Sequence, residues 1–237
     1  MKIIAIIPAG GKGKRSGSAV PKQYLKFNGK ELIVYTLQIF QNNDLIDEII
    51  ISAEHAYFDL LKKIKKDYEL TKLTKIVEGG DERQDSVHNA LKEIKADDED
   101  LIVVHDAARA LLPSEVLTNS ILAAKQKGNA VVCIKAKDTL VKGNNTISDY
   151  VNRNDVYYVQ TPQIFKAKDL KRAMQNAYKN NFIGTDESML VKQIGIEVNI
   201  VEGSVMNFKV TTNEDVEMFE RLVGIRIDVV KINMKLE

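Results

Sequence analysis

The sequence predicts an α/β protein built around one mainly parallel β-sheet. Short apolar runs rich in β-branched residues alternate with longer stretches of helical period along most of the chain. The runs at 3–7, 49–51 and 101–104 are continuously apolar, which is typical of strands covered on both faces. Strand and helix in alternation favour parallel strands joined by helices. In such a sheet ligands collect at the carboxyl ends of the strands, so the residues after each strand are the candidates for function.

The individual elements follow from these periods. The predicted strands are 2–7, 47–52, 74–78, 101–105, 130–134 and 197–202. The predicted helices lie near 30–41, 55–67, 83–95, 113–127, 167–180 and 186–194. Residues 136–160 break the rhythm with strand-like pieces around Gly143, Asn144 and Asn145, a turn sequence, and predict a projecting β-arm. This arm would pack either on a partner subunit or on its own domain. The tail 223–237 alternates like an edge strand, and we assign it no function.

Composition narrows the class of protein. The 237 residues include 34 Lys and Arg against 33 Asp and Glu, a net charge of +1, which disfavours a nucleic-acid or membrane surface. A single cysteine, Cys133, excludes an internal disulfide and is expected in the core. The histidines His55, His88 and His105 lack metal-ligand spacing. No apolar run has transmembrane length and the first residues do not resemble a signal peptide, so we expect a cytoplasmic protein.

The loop after the first strand, 8-PAGGKGKRSGSAVPKQY-24, combines glycines and cations without an acidic residue. Glycine lets backbone N–H groups approach an anion closely, and the cations add charge. Two standard fingerprints fail. Arg15 follows Gly13 and Lys14 where a P-loop needs Ser or Thr, and Ser16 stands where a dinucleotide-binding loop needs glycine. From these residues alone, a polyphosphate-binding loop and a solvated mobile turn remain equally open.

Together with later segments, this loop resembles the signature of small-molecule nucleotidyltransferases, and more specifically the 2-C-methyl-D-erythritol 4-phosphate cytidylyltransferase family. The similar segments are 79-GGDERQDSV-87, 104-VHDAARA-110, 137-KDT-139, 152-NRN-154, 160-QTPQIF-165, 185-TDES-188 and 207-NFKVT-211. The resemblance covers residues 1–222, leaves the tail outside, and implies a single Rossmann-like nucleotidyltransferase domain that includes the arm. It implies cytidylyl transfer from CTP to 2-C-methyl-D-erythritol 4-phosphate, with release of pyrophosphate, in non-mevalonate isoprenoid precursor synthesis.

The resemblance implies that fixed cations carry the catalysis, since phosphoryl-type transfer depends mainly on positioning and charge stabilisation. It assigns Arg15 and Lys22 to the CTP phosphates, and Arg153 and Lys209 to the phosphate of the acceptor. The implied nucleotide-binding residues are Pro8, Ala9, Gly10, Gly11, Gly13, Gly80, Asp81, Arg83, Ser86, Asp106 and Ala107. The implied sugar-phosphate-binding residues are Asp106, Arg109, Thr139, Arg153, Thr161, Thr185 and Lys209.

Structural roles compete with some of these assignments. Asp81 and Thr185 could each be the N-cap of the helix that follows, and His105 is interpreted as structural. Ala110 stands where the family usually has proline, which should loosen the turn without removing a chemical group.

Cofactor and partners also follow from the resemblance. Mg²⁺ is expected as the CTP complex, held mainly by the triphosphate, because the sequence shows no carboxylate cluster that would form a protein cage. Arg153 resembles an arginine that crosses the dimer interface in the family, which implies a homodimer formed through the arm.

Two other functions remain as alternatives. One is ribitol-5-phosphate cytidylyltransferase of teichoic acid synthesis, which tends to have H-D-S-V-R where this chain has 105-HDAAR-109, and T-D-A where it has 185-TDE-187. The other is a CTP-binding protein without catalysis.

Overall fold

A computed structural model describes residues 1–10 and 20–233, with side chains as far as Gly224. The strands are β1 (Ile3–Pro8), β2 (Lys26–Phe27), β3 (Lys30–Glu31), β4 (Glu48–Ala53), β5 (Leu73–Glu78), β6 (Leu101–Val104), β7 (Asn129–Lys135), β8 (Leu140–Gly143), β9 (Ile147–Val151), β10 (Tyr157–Lys166) and β11 (Ile200–Glu202). The helices are α1 (Leu32–Gln41), α2 (Phe58–Asp67), α3 (Arg83–Glu93), α4 (Ser114–Lys127), α5 (Ala167–Lys179), α6 (Glu187–Gln193) and α7 (Asn213–Asn233).

In the described part of the chain, seven strands form the main sheet in the order β11-β7-β10-β6-β1-β4-β5. Neighbouring strands run parallel except at β10, which is antiparallel to both β6 and β7. The predicted mainly parallel α/β sheet is therefore confirmed. Within the described part of the chain, no helix has both the length and the apolar character needed to cross a membrane.

Both faces of this sheet are covered by helices, which explains the continuous apolar runs. Ile3, Ala5 and Ile7 of β1 pack in one buried cluster with α1, α2 and α4. The alternate residues Ile4 and Ile6 pack in a second cluster with α3, α5 and α6. Successive side chains of a strand point to opposite faces. A strand covered on both faces is therefore apolar at consecutive positions and does not alternate with polar residues.

Strand β10 differs from the sequence prediction, which treated 136–160 as one arm. Within 136–160, β8 and β9 pair with each other as a two-stranded sheet, whereas residues 157–166 form β10 in the middle of the main sheet. The sequence did not predict β10 as a central strand, because it contains polar residues and Pro162, and both argue against a central position. An irregularity between Val159 and Gln163 interrupts the ladder with β7 and accommodates the proline.

The predicted edge strand in the tail is wrong, because α7 runs from Asn213 to Asn233. Its inner face continues a helical spacing through Val216, Phe219 and Val223, which pack in a third apolar cluster beside β2. The ring of Phe219 lies edge-on to the ring of Phe27, with centroids 4.9 Å apart. Burying one such side chain contributes about 1.5–3 kcal/mol, so packing decides the helix here over local alternation.

Candidate active site

The carboxyl ends of β1 and β5 approach each other backbone to backbone. A Cβ built on Gly10 would lie 2.9 Å from Ser86 Oγ, and one on Gly79 would lie 3.3 Å from the Cα of Gly10. A Cβ on Gly80 would lie 2.1 Å from the Cβ of Asp85. The distance at Gly80 is too short for any real Cβ, so glycine is required there, whereas a Cβ at Gly10 or Gly79 would force Ser86 or the facing backbone to shift. We call Gly10, Gly79, Gly80 and Ser86 the glycine cradle.

The first turn of α3 forms one wall of the glycine cradle. The N–H of Gly80 donates to Ser86 Oγ at 3.1 Å. Glu82, not Asp81, is the N-cap residue, and its N–H donates to Asp85 Oδ2 at 3.1 Å. The capping role considered for Asp81 is therefore wrong, and Asp81 lies exposed at the cradle's edge.

A cluster of charged side chains lies at the end of β6, beside the cradle. Asp106 is its centre: Oδ1 accepts from Arg83 Nε at 2.8 Å, and Oδ2 lies 3.0 Å from Lys209 Nζ and 3.4 Å from Arg109 Nε. Burial raises the pKa of Asp106, but Arg83, Lys209 and Arg109 outweigh it and hold this pKa well below its usual range. Asp106 is thus an ionised carboxylate at neutral pH. With Glu187, these residues form the Asp106 cluster.

Arg83 connects Asp106 to a second carboxylate that the sequence did not single out for the site. Its Nη1 and Nη2 donate to Glu187 Oε1 and Oε2 at 2.6 and 3.0 Å. The resemblance predicted that Arg83 contacts the nucleotide. In the structure its guanidinium bonds two carboxylates of the chain, those of Asp106 and Glu187. Burial opposes the charge on Arg83, yet the two carboxylates raise its pKa above the usual range. Position 187 lies in the similar segment 185-TDES-188, but no contact in the site was assigned to Glu187, because an acidic residue in the first turn of a helix is common.

His105 and Thr161 fix the backbone of the Asp106 loop. The N–H of Asp106 donates to Thr161 Oγ1 at 3.1 Å, and this oxygen lies 3.1 Å from His105 Nδ1. The other ring nitrogen, Nε2, lies 3.2 Å from the carbonyl oxygen of Arg109. A carbonyl can only accept, so Nε2 carries the proton, and Nδ1 accepts from the threonine hydroxyl. Burial lowers the pKa of His105 to about 4, which keeps the ring neutral.

These bonds bear on two of the predictions. Thr161 was assigned to the sugar pocket, but it is 4% exposed and its hydroxyl already both accepts and donates within the loop. The structural interpretation of His105 fits its complete burial. Ala107, also buried, has its carbonyl oxygen bonded by Thr36 Oγ1 at 2.8 Å.

The segment that carries Lys209 is tied to the same loop. Arg109 Nη1 donates to the carbonyl oxygen of Asn207 at 2.8 Å. Asn207 Nδ2 donates to Gln160 Oε1 at 3.0 Å and to the carbonyl oxygen of Thr161 at 2.7 Å. Asn207 and Gln160 are both buried. They lie in segments that carry the family resemblance, but neither was assigned a role in the site. The turn before Ala110 is closed by a bond from Arg109 N to Asp106 O, and Ala110 itself is buried in the cluster with Phe219.

Lys22 lies in a short 3-10 turn, Lys22–Tyr24, held against the end of β1. Gln23 Nε2 donates to the carbonyl oxygen of Ala9 at 2.7 Å, and the ring of Tyr24 stacks on Tyr57 with centroids 4.0 Å apart. The Lys22 side chain is buried. Local hydrogen bonds lower the pKa of Glu214, in the first turn of α7, and the charge of Lys22 lowers it further.

Other predicted ligands lie elsewhere or outside the described residues. Arg15, Gly11 and Gly13 fall outside, while Pro8 ends β1. Thr139 and Arg153 are exposed at the base of the arm, where Arg153 Nη1 donates to the carbonyl oxygen of Lys137 at 2.5 Å. Among the described residues, no hydrogen bond or ion pair joins Arg153 to the Asp106 cluster.

Thr185 is exposed in the loop before α6, and its hydroxyl contacts Met189 Sδ at 3.1 Å. The N-cap of α6 is Asp186, whose Oδ1 accepts from Met189 N at 2.9 Å. The capping role considered for Thr185 is therefore wrong.

The acidic side chains described for the site lack the arrangement of a metal centre. Among residues 1–10 and 20–233, no group of three or more His, Cys, Asp or Glu side chains could hold a metal ion. Asp106 and Glu187 are each paired with cations, which compete with any metal for the same oxygens. The described residues therefore do not form a cage for a divalent cation.

The mainly parallel sheet, the glycine cradle and the cations around Asp106 fit an enzyme of the nucleotidyltransferase class. Comparison with known proteins narrows this class. The family model for 2-C-methyl-D-erythritol 4-phosphate cytidylyltransferase matches residues 3–224. The chain belongs to the 2-C-methyl-D-erythritol 4-phosphate cytidylyltransferase family.

Individual relatives agree with this assignment. The enzyme of that name from Syntrophus aciditrophicus is 40% identical over 222 residues, covering 92% of this chain and 94% of the relative. The one from Clostridium perfringens strain SM101 is 41% identical over 226 residues, covering 94% and 99%. A crystal structure of 4-diphosphocytidyl-2C-methyl-D-erythritol synthase from Anaerococcus prevotii superimposes with a TM-score of 0.82 at 27% identity, covering 94% of this chain and 96% of that one.

Proposed function

We propose that this chain transfers the cytidylyl group of CTP to 2-C-methyl-D-erythritol 4-phosphate, releasing pyrophosphate, in the non-mevalonate synthesis of isoprenoid precursors. The observation that carries the proposal is the Asp106 carboxylate, held by Arg83, Arg109 and Lys209 directly beside the glycine cradle. Such a site offers close backbone contact to a triphosphate on one side. On the other side it offers cations to a phosphate and a carboxylate to a hydroxyl.

The nucleotide would bind over the cradle, with Lys22 and Arg15 on its phosphates. An oxygen of the acceptor phosphate attacks the α-phosphorus, and the bond from this phosphorus to the pyrophosphate oxygen breaks. Negative charge accumulates around phosphorus, where fixed cations stabilise it. The attacking phosphate is already ionised at neutral pH, so no general base is needed. This agrees with a His105 that is buried and fully hydrogen-bonded.

The acceptor would bind at the Asp106 cluster. The side chain of Lys209 is 40% exposed, so its ammonium is accessible to a phosphate, whereas the Arg109 side chain is 12% exposed and mainly orients Asp106. Asp106 can accept a hydrogen bond from a hydroxyl of the polyol. An acceptor that carries a phosphate and a hydroxyl would bind Lys209 through the phosphate and Asp106 through the hydroxyl.

We also propose that the enzyme acts as a homodimer joined through the arm. The arm exposes Val141, Ile147 and Tyr150, which are 45%, 60% and 66% exposed in the single chain. A second copy would cover these apolar side chains, and Arg153 could then reach the phosphate in the partner's site.

The metal enters with the substrate in this proposal. Magnesium would be carried by the CTP phosphates and water, and would supply charge neutralisation when bound. The side chains described above do not hold it, and the roles assigned to them do not pass through it.

The test is pyrophosphate release from CTP and magnesium, with 2-C-methyl-D-erythritol 4-phosphate and ribitol 5-phosphate supplied separately. We expect kcat/KM to be higher with the methylerythritol phosphate. A higher value with ribitol 5-phosphate would move the chain to the teichoic acid branch. Binding of CTP without release from either acceptor would indicate a protein that binds nucleotide but has no catalytic activity.

A further inference from the structure

We infer that Glu187 is a positioning residue for the acceptor, acting through Arg83 on the carboxylate of Asp106. This inference rests on the proposed function, in which Asp106 receives a hydroxyl of the polyol phosphate. Glu187 belongs to α6, Arg83 to α3 and Asp106 to the loop after β6, so one guanidinium joins three separate elements.

The geometry of the pair fixes a direction as well as a charge. Both terminal nitrogens of Arg83 bond the two oxygens of Glu187, at 2.6 and 3.0 Å, while Nε bonds Asp106 at 2.8 Å. A guanidinium is planar and its donors diverge at fixed angles. Once Glu187 holds the terminal fork, Nε points to one oxygen of Asp106, and the other oxygen is left to Lys209 and Arg109.

Burial makes this arrangement dependent on Glu187. The Glu187 side chain is 1% exposed, and the Arg83 side chain 26%. An ion pair with little water around it is sensitive to the loss of one partner, because the charge left behind must find another. Without the charge on Glu187, the nearest carboxylate for the whole fork of Arg83 is Asp106. Asp106 would then be drawn toward α3 and away from the acceptor's hydroxyl.

Other hydrogen bonds hold the backbone around Glu187, so the Glu187 side chain is not needed to position α6. The N–H of Ser188 donates to Gln163 Oε1 at 2.9 Å, which fixes the start of α6 on β10. Asp186 caps the helix independently of Arg83. We therefore expect Glu187→Gln to fold, and to change the direction of Arg83 more than the position of α6.

The experiment measures KM for each substrate and kcat in the wild type, Glu187→Gln and a matched control, Asp100→Asn. Asp100 is equally hidden, but it accepts from the N–H groups of Lys2 and Asp97 at the opposite end of β6. We expect Glu187→Gln to raise KM for the acceptor about tenfold and KM for CTP less than twofold, whereas Asp100→Asn changes neither. Equal changes in both constants, or none, would overturn the inference.

Arg83→Lys provides a second variant in case Glu187→Gln is poorly folded by thermal melting. Lysine keeps the charge but cannot hold both carboxylates, so the same selective rise in acceptor KM is expected. If Glu187 acts through Arg83, the double variant should show no larger rise than the greater of the two single variants. Additive effects would mean that Glu187 acts on its own. A wild type that releases no pyrophosphate would count against the proposed function instead, which keeps the two failures distinct.

Discussion

Acidification should destabilise this protein through His105, a histidine that contributes no charge to the folded state. The ring is fully buried between Thr161 and the carbonyl oxygen of Arg109, and both its nitrogens are hydrogen-bonded. A proton on Nδ1 would face the threonine hydroxyl and leave a cation beside Arg109, while Asp106 is already paired with three other cations. The folded protein therefore binds the proton poorly.

The sign and size of the effect follow from the pKa. Burial lowers the pKa of His105 from 6.5 to about 4 in the folded protein. Between these values the unfolded chain binds more protons, so its free energy falls relative to the folded state as the pH falls. Stability is fully present above about pH 6.5 and declines down to about pH 4. Between pH 7 and pH 5 the loss from this one group is about 2 kcal/mol.

Urea unfolding at a series of pH values, for the wild type and for His105→Gln, measures this contribution. Glutamine lowers the free energy of unfolding at every pH but does not bind the proton. The difference in unfolding free energy between the two proteins therefore isolates the pH dependence that comes from His105. We expect this difference to shrink by about 2 kcal/mol from pH 7 to pH 5. His88→Gln, at a more exposed position, is the matched control and should keep most of the slope. A difference that does not vary with pH would refute a buried neutral His105.

Three other substitutions test the proposed roles. Lys22→Ala should lower turnover by about 100-fold or more with a small change in melting temperature, and normal turnover would remove Lys22 from the mechanism. Arg153→Ala should raise KM for the acceptor, and mixing it with Lys22→Ala under subunit exchange should restore activity; no complementation would argue against a shared site. Gly80→Ala would bring a Cβ within 2.1 Å of Asp85 Cβ, so we expect weaker CTP binding and a loss of about 1–3 kcal/mol of stability; wild-type affinity and melting would contradict a tight cradle.

The sequence predicted the parts of the fold that depend on periodicity. β1, β4 and β6 are buried on both faces, and their unbroken apolar runs marked them as central strands. β10 was not predicted as a central strand because its buried polar residues are hydrogen-bonded to residues distant in sequence. Gln163 accepts from the N–H of Ser188, and Gln160 donates to the carbonyl oxygen of Ser204. A polar side chain in the core is stable when hydrogen-bonded, and those partners are fixed only by the tertiary structure.

The candidate site also contains residues that the sequence indicated and contacts that only the tertiary structure determines. Strand ends and motif similarity indicated Asp106, Arg109 and Lys209, which the structure brings together. The pairing of Arg83 with Glu187 joins residues that are 104 positions apart, and no local pattern reports such a contact. The role of Thr161 could not be read from its type either, since a hydroxyl serves a ligand and a backbone amide equally well.

The interruption in β10 has a consequence for how chain length can vary in this family of sequences. Four steps along β10, from Val159 to Gln163, match two steps along β7, and Thr161 lies within the surplus. Deleting one residue there would turn every later or every earlier side chain to the opposite face of the sheet. The tip of the arm at 144–146 has no such constraint, because it lies between paired residues of an exposed hairpin. Insertions and deletions should therefore accumulate at the tip and be excluded from 160–162.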